Sequence, residues 1–120
     1  DNLGIHDGQL SACPDSPNCV NSQASDARHA IEPLPLRGTA EETQARLKAL
    51  LSAEPRVSVV EEAPGYLRAE FSSKLMRFVD DVEFMIGAAG VDVRSASRLG
   101  YADFDVNRER IEHLRQRLSE

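Results

Sequence analysis

The chain has 120 residues, enough for one modest hydrophobic core, and 41% of them are hydrophobic. Its formal net charge of -6 argues against nucleic acid or an anionic membrane surface as the main partner, because both require clustered positive charge. No stretch contains the roughly 18 apolar residues that span a bilayer. Small molecules, cations and proteins remain as partner classes.

The N-terminal part of the chain contains both cysteines and four of the six prolines. Residues 1–38 show neither helical nor alternating periodicity, so we expect an irregular segment that wraps the rest of the chain. Cys13 and Cys19 flank two prolines and an Asx residue that bend the chain and can bring the sulfurs together, which favours a disulfide and therefore an oxidising compartment. A zinc site that also uses His6 or His29 is the alternative, although the spacing is not Cys-x-x-Cys.

Two helices are predicted from their start signals and apolar stripes. Thr39-Ala40-Glu41-Glu42 forms a capping box, and leucines follow at helical spacing as far as Pro55. These signals predict a first helix over 40–53. A final helix is predicted over 106–119, where Ile111, Leu114 and Leu118 share one face.

Four strands are predicted between the helices. Valines at 57, 59 and 60 mark the first strand, and Ala63-Pro64-Gly65-Tyr66 predicts a type II turn into the second. Apolar and polar residues alternate over 67–72, 78–86 and 91–97, as is typical of half-buried strands. The predicted fold class is α+β, a two-layer sandwich with a four-stranded antiparallel sheet and two helices on one face. Residues 39–120 form this unit, and with the N-terminal segment it makes one domain.

Charged residues of both signs fall on the predicted water-exposed face of the sheet. Symmetric closure of the last hairpin predicts three cross-strand neighbours: Glu83 and Arg94, Asp81 and Ala96, and Asp80 and Ser97. A ladder of ion pairs on an exposed sheet explains these charges. A ligand-binding surface is the alternative, because exposed pairs contribute only about 0.2 to 1 kcal/mol each.

A candidate ligand site lies where the last strand passes into the last helix. Asp80 alternates with apolar residues and so points toward the core, where a carboxylate needs hydrogen bonds or a cation. Backbone N–H groups at the helix start would favour an anionic ligand. The candidate binding residues are Asp80, Arg94, Ser97, Arg98, Tyr101, Asp103, Asn107 and Arg108. A purely structural role for Asp80, and capping of the helix by Asp103 or Asp105, are the alternatives.

Three separated motifs resemble the family catalogued as domain of unknown function fourteen ninety-nine. They are Ser16-Pro17-Asn18-Cys19-Val20, Phe78-Val79-Asp80-Asp81-Val82-Glu83-Phe84, and Arg94-Ser95-Ala96-Ser97-Arg98 followed by Asn107-Arg108. The chain departs from the family pattern at Asn21, where Ser is usual, and at Asp105, where Gly is usual. The resemblance implies no established activity. It implies a periplasmic or cell-envelope location, with a lipid anchor or membrane tether supplied by a removed N-terminal segment.

These observations predict a non-catalytic envelope domain that binds a small anionic molecule or an envelope protein through Arg94–Arg108. No cofactor and no nucleic acid are expected. The alternative is a metal-assisted hydrolase or isomerase that uses Asp80, with Asp81 and Glu83 as oxygen ligands of a divalent ion. Arg94 and Arg98 would compete for those carboxylates. The residues favour a non-catalytic role without deciding whether the chain is an enzyme, and no Gly-x-Ser-x-Gly elbow is present.

Overall fold

The computed structural model describes residues 2–75, 78–99 and 105–120. The elements in chain order are β1 (Ile5–His6), β2 (Gln9–Leu10), β3 (Cys19–Asn21), α1 (Ala40–Ala53), β4 (Val57–Ala63), β5 (Tyr66–Ser72), β6 (Val79–Ile86), β7 (Val91–Ser97) and α2 (Val106–Ser119). The main sheet has the strand order β3-β7-β6-β5-β4, and each neighbouring pair is antiparallel. The separate β1–β2 pair forms a small second sheet.

The α+β class is confirmed, but the predicted number of strands in the main sheet is wrong. The N-terminal segment supplies β3 as a fifth strand, which pairs with β7 so that Cys19 lies opposite Ala96. A strand of three residues is too short to show alternation, and its partner lies far away in sequence. Periodicity therefore gives no signal for it.

The hydrophobic core lies between the helices and one face of the sheet. Both helices direct their apolar stripes onto this face, and the buried side chains that they contribute are Leu47, Leu50, Leu51, Ile111, Leu114 and Leu118. The sheet contributes Leu67, Ala69, Val82, Phe84, Val91 and Val93. Burial of one large apolar side chain stabilises the fold by roughly 1.5 to 3 kcal/mol. None of the described helices is long and apolar enough to cross a membrane.

Local signals for helix and turn geometry are confirmed. The Thr39 hydroxyl accepts a 3.0 Å hydrogen bond from the Glu42 amide, and the Glu42 carboxylate accepts a 2.9 Å bond from the Thr39 amide. Gly65 has a φ of 81°, as the third residue of a type II turn requires. The Cys13–Cys19 disulfide is also present. Its second cysteine lies on β3, so the disulfide links the N-terminal loop to the edge of the sheet.

The N-terminal segment covers the second face of the sheet around Glu83 and Arg94, so the expectation of a water-exposed face is wrong for that part, whereas Arg98 and Glu70 remain partly exposed. The Gly4 amide donates a 2.6 Å hydrogen bond to Glu83, and the Arg94 guanidinium donates a 3.4 Å bond to the Ala12 carbonyl. Glu83 is 0% exposed and Arg94 is 5% exposed. The alternation predicted which residues share this face, but the cover comes from a segment without periodicity.

Candidate functional site

The sheet separates the predicted site residues into two groups. Asp80, Ser97 and Asn107 lie toward the helices, where Asp80 and Asn107 are buried. Arg94 and Arg98 lie on the face beneath the N-terminal segment. The predicted register is confirmed, since Asp80 is opposite Ser97, Asp81 opposite Ala96 and Glu83 opposite Arg94. The Arg94–Arg108 segment therefore contributes to two different surfaces.

Residues around the start of α2 serve mainly to position the chain. Asp105 precedes the helix with a φ of 66°, in the left-handed region, and its side chain makes no capping hydrogen bond. Arg108 donates to the carbonyl of Ala30 at 2.7 Å, which fastens the N-terminal segment to α2. The predicted site residues Tyr101 and Asp103 lie outside the described residues.

Arg110 joins the helix-side residues into one network. Its guanidinium donates 2.8 Å hydrogen bonds to Asp80 and to the Asn107 amide oxygen, and a 3.1 Å bond to the Ser95 hydroxyl. The Asn107 amide nitrogen in turn donates to the Ser97 hydroxyl at 3.1 Å. Sequence reasoning missed Arg110, although it lies three residues after Asn107 and therefore on the same side of the helix.

A cleft of about 670 Å³ opens above this network. We call it the Phe78 cleft, and its apolar lining residues are Val57, Phe71, Phe78, Leu99 and Val106. Asp80 and Arg110 also line it, and because both are nearly buried, their ion pair forms the floor. The Arg110 guanidinium carbon lies 4.8 Å from the centroid of the Phe71 ring, close enough for a cation–π contact.

Several large apolar side chains of the Phe78 cleft are unusually exposed. Phe78 is 49% exposed, Leu99 69% and Val106 45%. Six large hydrophobic side chains are exposed in the described part of the chain, and three of them line this one cleft. Such a concentration is typical of a binding site, whereas single exposed apolar residues are normal on any surface.

Two cations at the Phe78 cleft have no side-chain partner among the described residues. Arg56 and Lys74 line the cleft and are exposed. Neither side chain makes a hydrogen bond or ion pair, whereas every other lysine or arginine in 2–75, 78–99 and 105–120 has at least one. Arg56 also has a φ of 60°, which costs conformational energy in a residue other than glycine.

The face beneath the N-terminal segment carries a network in which opposite charges are paired. Arg98 donates 2.8 Å hydrogen bonds to Asp81 and Glu70, and Arg68 donates a 3.0 Å bond to Asp81. Burial raises the pKa of Asp81, but the bonds and charges of these two arginines outweigh burial and lower it overall. The hydrogen bonds that Arg98 donates to Asp81 and Glu70 raise the pKa of Arg98. A second cavity, of about 580 Å³, is lined by these four side chains.

The most deeply buried charged pair of this face is Glu83 and Arg94, whose Oε1 and Nη1 atoms are 3.8 Å apart. The Tyr66 hydroxyl donates a 2.6 Å hydrogen bond to Glu83 Oε2, and burial together with this carboxylate raises the pKa of Tyr66. Burial lowers the pKa of Arg94 despite the attraction of Glu83. Glu83 Oε1 and Arg94 Nε are the two buried side-chain polar atoms of the described residues that have no hydrogen-bond partner.

The carboxylates considered as metal ligands are held by other groups. Asp81 accepts hydrogen bonds from Arg68 and Arg98, and Glu83 accepts them from Tyr66 and the Gly4 amide. In the described part of the chain, no group of three or more histidine, cysteine, aspartate or glutamate side chains is placed to hold a metal ion. The geometry thus offers no support for the metal-assisted alternative.

Comparison with known proteins gives one match. The model of a family described as Protein of unknown function (DUF1499) matches residues 9–118, which include both faces of the sheet and all the residues of the Phe78 cleft. No curated protein and no solved structure matches the chain.

Proposed function

Since the chain belongs to the DUF1499 family of proteins of unknown function, we propose its function from its geometry: it binds a small anionic molecule in the Phe78 cleft. The observation that carries this proposal is the position of Arg56 and Lys74. The other described cations are paired with carboxylates or backbone carbonyls, and the two that are unpaired both lie at the Phe78 cleft, whose apolar walls are exposed.

The proposed role is binding without catalysis. A serine nucleophile needs a base within hydrogen-bond reach, but Ser95 and Ser97 contact the amide of Asn107, and Ser95 also accepts from Arg110. The carboxylate of Asp80 is held by Arg110. These side chains stabilise one another and give the cleft a fixed floor.

We place this binding role in the periplasm or cell envelope. Disulfides persist in oxidising compartments, and the Cys13–Cys19 bond is therefore the observation in favour of this location. The same bond fixes the loop that precedes β3. An envelope protein that binds at the Phe78 cleft is the alternative to a small anionic molecule.

Titration with anilinonaphthalene sulfonate tests the proposed function, because this probe joins an apolar ring system to a sulfonate and becomes fluorescent in apolar sites. We expect the double variant Arg56→Gln/Lys74→Gln to bind it about tenfold more weakly, as expected for two exposed ion pairs. Neither side chain contacts a polar partner in the described part of the chain, so the variant should fold as the wild type does.

The matched control is Lys48→Gln/Arg28→Gln, which removes two exposed cations that do not line the cleft. It changes the net charge by the same amount and should leave probe binding within about twofold of the wild type, because the charges are distant and screened. Equal weakening in both double variants, or in neither, would contradict the proposal.

A further inference from the structure

We infer that the ligand of the Phe78 cleft is an amphiphilic anion of the long-chain carboxylate class, with its apolar chain in the cleft and its charged head at the rim. This inference rests on the proposed function and adds the chemical class of the ligand. It follows from the arrangement of the cleft, in which apolar side chains form the walls and the unpaired cations Arg56 and Lys74 lie at the rim.

The walls of the cleft favour an apolar chain. Phe71 and Phe78 from the β5–β6 hairpin and Val106 from α2 approach the cleft from different elements, with Leu99 beyond the end of β7. Phe78 and Leu99 leave large apolar areas exposed to water. Covering this surface with a chain of methylene groups removes apolar area from water on both partners, which is favourable.

The floor of the cleft has no unpaired charge that would attract a charged group of the ligand, because Asp80 and Arg110 pair with each other. Asp80 and Arg110 are joined at 2.8 Å, and Arg110 is also held by Asn107 and Ser95. A ligand charge placed here would have to displace one member of a nearly buried ion pair, which is costly. The floor therefore favours the uncharged end of a ligand.

The rim supplies complementary charge at Arg56 and Lys74. Two carboxylates also line the cleft: Glu54, which is held by Arg117, and Glu109 on α2. Arg56 lies between the end of α1 and β4, and Lys74 lies in the turn that follows β5, so that the two cations come from neighbouring elements of the sheet. Both are exposed, and a carboxylate held between them remains partly hydrated. The left-handed backbone of Arg56 costs conformational energy in a residue other than glycine, and its carbonyl accepts a 3.0 Å hydrogen bond from the Ser72 amide, so the strain is set by the turn into β4 while the side chain stays available to a ligand.

Calorimetric titration with straight-chain carboxylates tests the inference. From octanoate through decanoate to dodecanoate, the Kd should fall about fourfold for each added methylene, because each buried methylene contributes about 0.8 kcal/mol. Dodecanol, which has the chain without the charge, should bind about tenfold more weakly than dodecanoate to the wild type. It should bind as well as dodecanoate to Arg56→Gln/Lys74→Gln.

A matched pair of leucine variants locates the chain. Leu99→Ser removes a 69% exposed leucine that lines the cleft, and Leu75→Ser removes an 86% exposed leucine that does not. Both variants should fold, since neither leucine is buried. We expect Leu99→Ser to weaken dodecanoate binding at least fivefold and Leu75→Ser to leave it unchanged. Equal effects of the two variants would overturn the inference.

The remaining outcomes separate the inference from the proposed function. If acetate binds as tightly as dodecanoate and the arginine–lysine variant weakens both, the cleft binds anions but the inference of a chain is overturned. If dissolved carboxylates do not bind while vesicles of phosphatidylglycerol do, the face docks on a membrane and the inference is again overturned. If neither binds and the probe titration is unaffected by the variant, the proposed function falls as well.

Discussion

Arg110 on α2 donates a 2.8 Å hydrogen bond to Asp80 on β6, and this ion pair closes the bottom of the Phe78 cleft. The side chains of Asp80 and Arg110 are 12% and 13% exposed. The pair joins the last helix to the centre of the sheet at the place where β7 ends. It both stabilises the fold and makes the interior of the cleft electrically neutral.

Removing one member of this pair should destabilise the protein strongly. Asp80→Asn leaves the Arg110 charge nearly buried without its carboxylate, which should lower the free energy of unfolding by about 3 kcal/mol. The double change Asp80→Val/Arg110→Met removes both charges and should recover most of the loss. Urea denaturation followed by circular dichroism measures the free energy of unfolding of both variants. A double variant that is as unstable as Asp80→Asn, or less stable, would contradict this account.

Arg56→Gly should stabilise the protein while weakening its binding. The Arg56 backbone is in the left-handed region, where glycine avoids a penalty of about 1 to 2 kcal/mol, and the greater freedom of glycine in the unfolded chain offsets part of this gain. We expect a net gain of about 0.5 to 1 kcal/mol in urea denaturation. The same variant should bind anilinonaphthalene sulfonate several-fold more weakly.

A loss of stability in Arg56→Gly would mean that the arginine side chain contributes to the fold. Unchanged probe binding in the same variant would remove Arg56 from the site. Lys74→Gly is the comparison, because Lys74 is not among the residues with positive φ. It should therefore weaken probe binding without stabilising the protein.

The lowered pKa of Asp81 predicts that the protein loses stability in acid. Burial raises its pKa, but the bonds and charges from Arg98 and Arg68 outweigh burial, so that its pKa in the folded protein lies below its ordinary value of 3.8. A carboxyl group whose pKa is lowered in the folded protein stabilises the fold at any pH above its ordinary, unfolded-state pKa. This contribution is lost as the pH falls through the folded-state pKa. Wild type should therefore exceed Asp81→Asn in stability near pH 7, and this difference should shrink as the pH drops below 3.8.

Urea denaturation of both proteins over this pH range measures the difference. Arg98→Gln removes one of the two cations that lower the pKa of Asp81, so its own difference from the wild type should shrink over the same range. A difference between wild type and Asp81→Asn that stays constant from neutral pH into acid would show that Asp81 does not titrate differently in the folded and unfolded protein.

Loss of the disulfide should destabilise the fold moderately. The Cys13–Cys19 bond closes a loop with a sequence separation of 6. In the chain-entropy model, a disulfide that closes a loop of this size stabilises the fold by roughly 2 kcal/mol, because it lowers the entropy of the unfolded chain. Cys13→Ala/Cys19→Ala should lower the free energy of unfolding by that amount. Thermal denaturation of the variant and of the wild type, with and without reductant, provides the measurement. A reductant effect that persists in the variant would contradict the assignment of the loss to this bond.

Local patterns in the sequence predicted the helices and the central strands well. The capping box at Thr39 and the alternation along β6 and β7 report on contacts between near neighbours, and the register that places Glu83 opposite Arg94 followed from hairpin symmetry. These features depend on short-range geometry. They are therefore readable from the residues alone.

The features that were missed depend on contacts between distant parts of the chain. Arg110 becomes part of the site only because α2 packs where β6 and β7 end, and Arg56 becomes a rim residue only because β4 lies beside β5. The burial of Glu83 depends on Gly4, which is 79 residues away in sequence. No pattern within one segment reveals such relationships. The exposed apolar walls of the cleft likewise come together only when the sheet and both helices have formed.

The most direct test of the binding site is a map of backbone amide chemical shifts as dodecanoate is added to the protein. We predict that the largest changes fall on residues lining the Phe78 cleft, among them Val57, Ser73, Phe78 and Val106. Changes should be small on the opposite face, around Arg68 and Asp81. A map with its largest changes on that opposite face, or with no changes at saturating dodecanoate, would contradict the account.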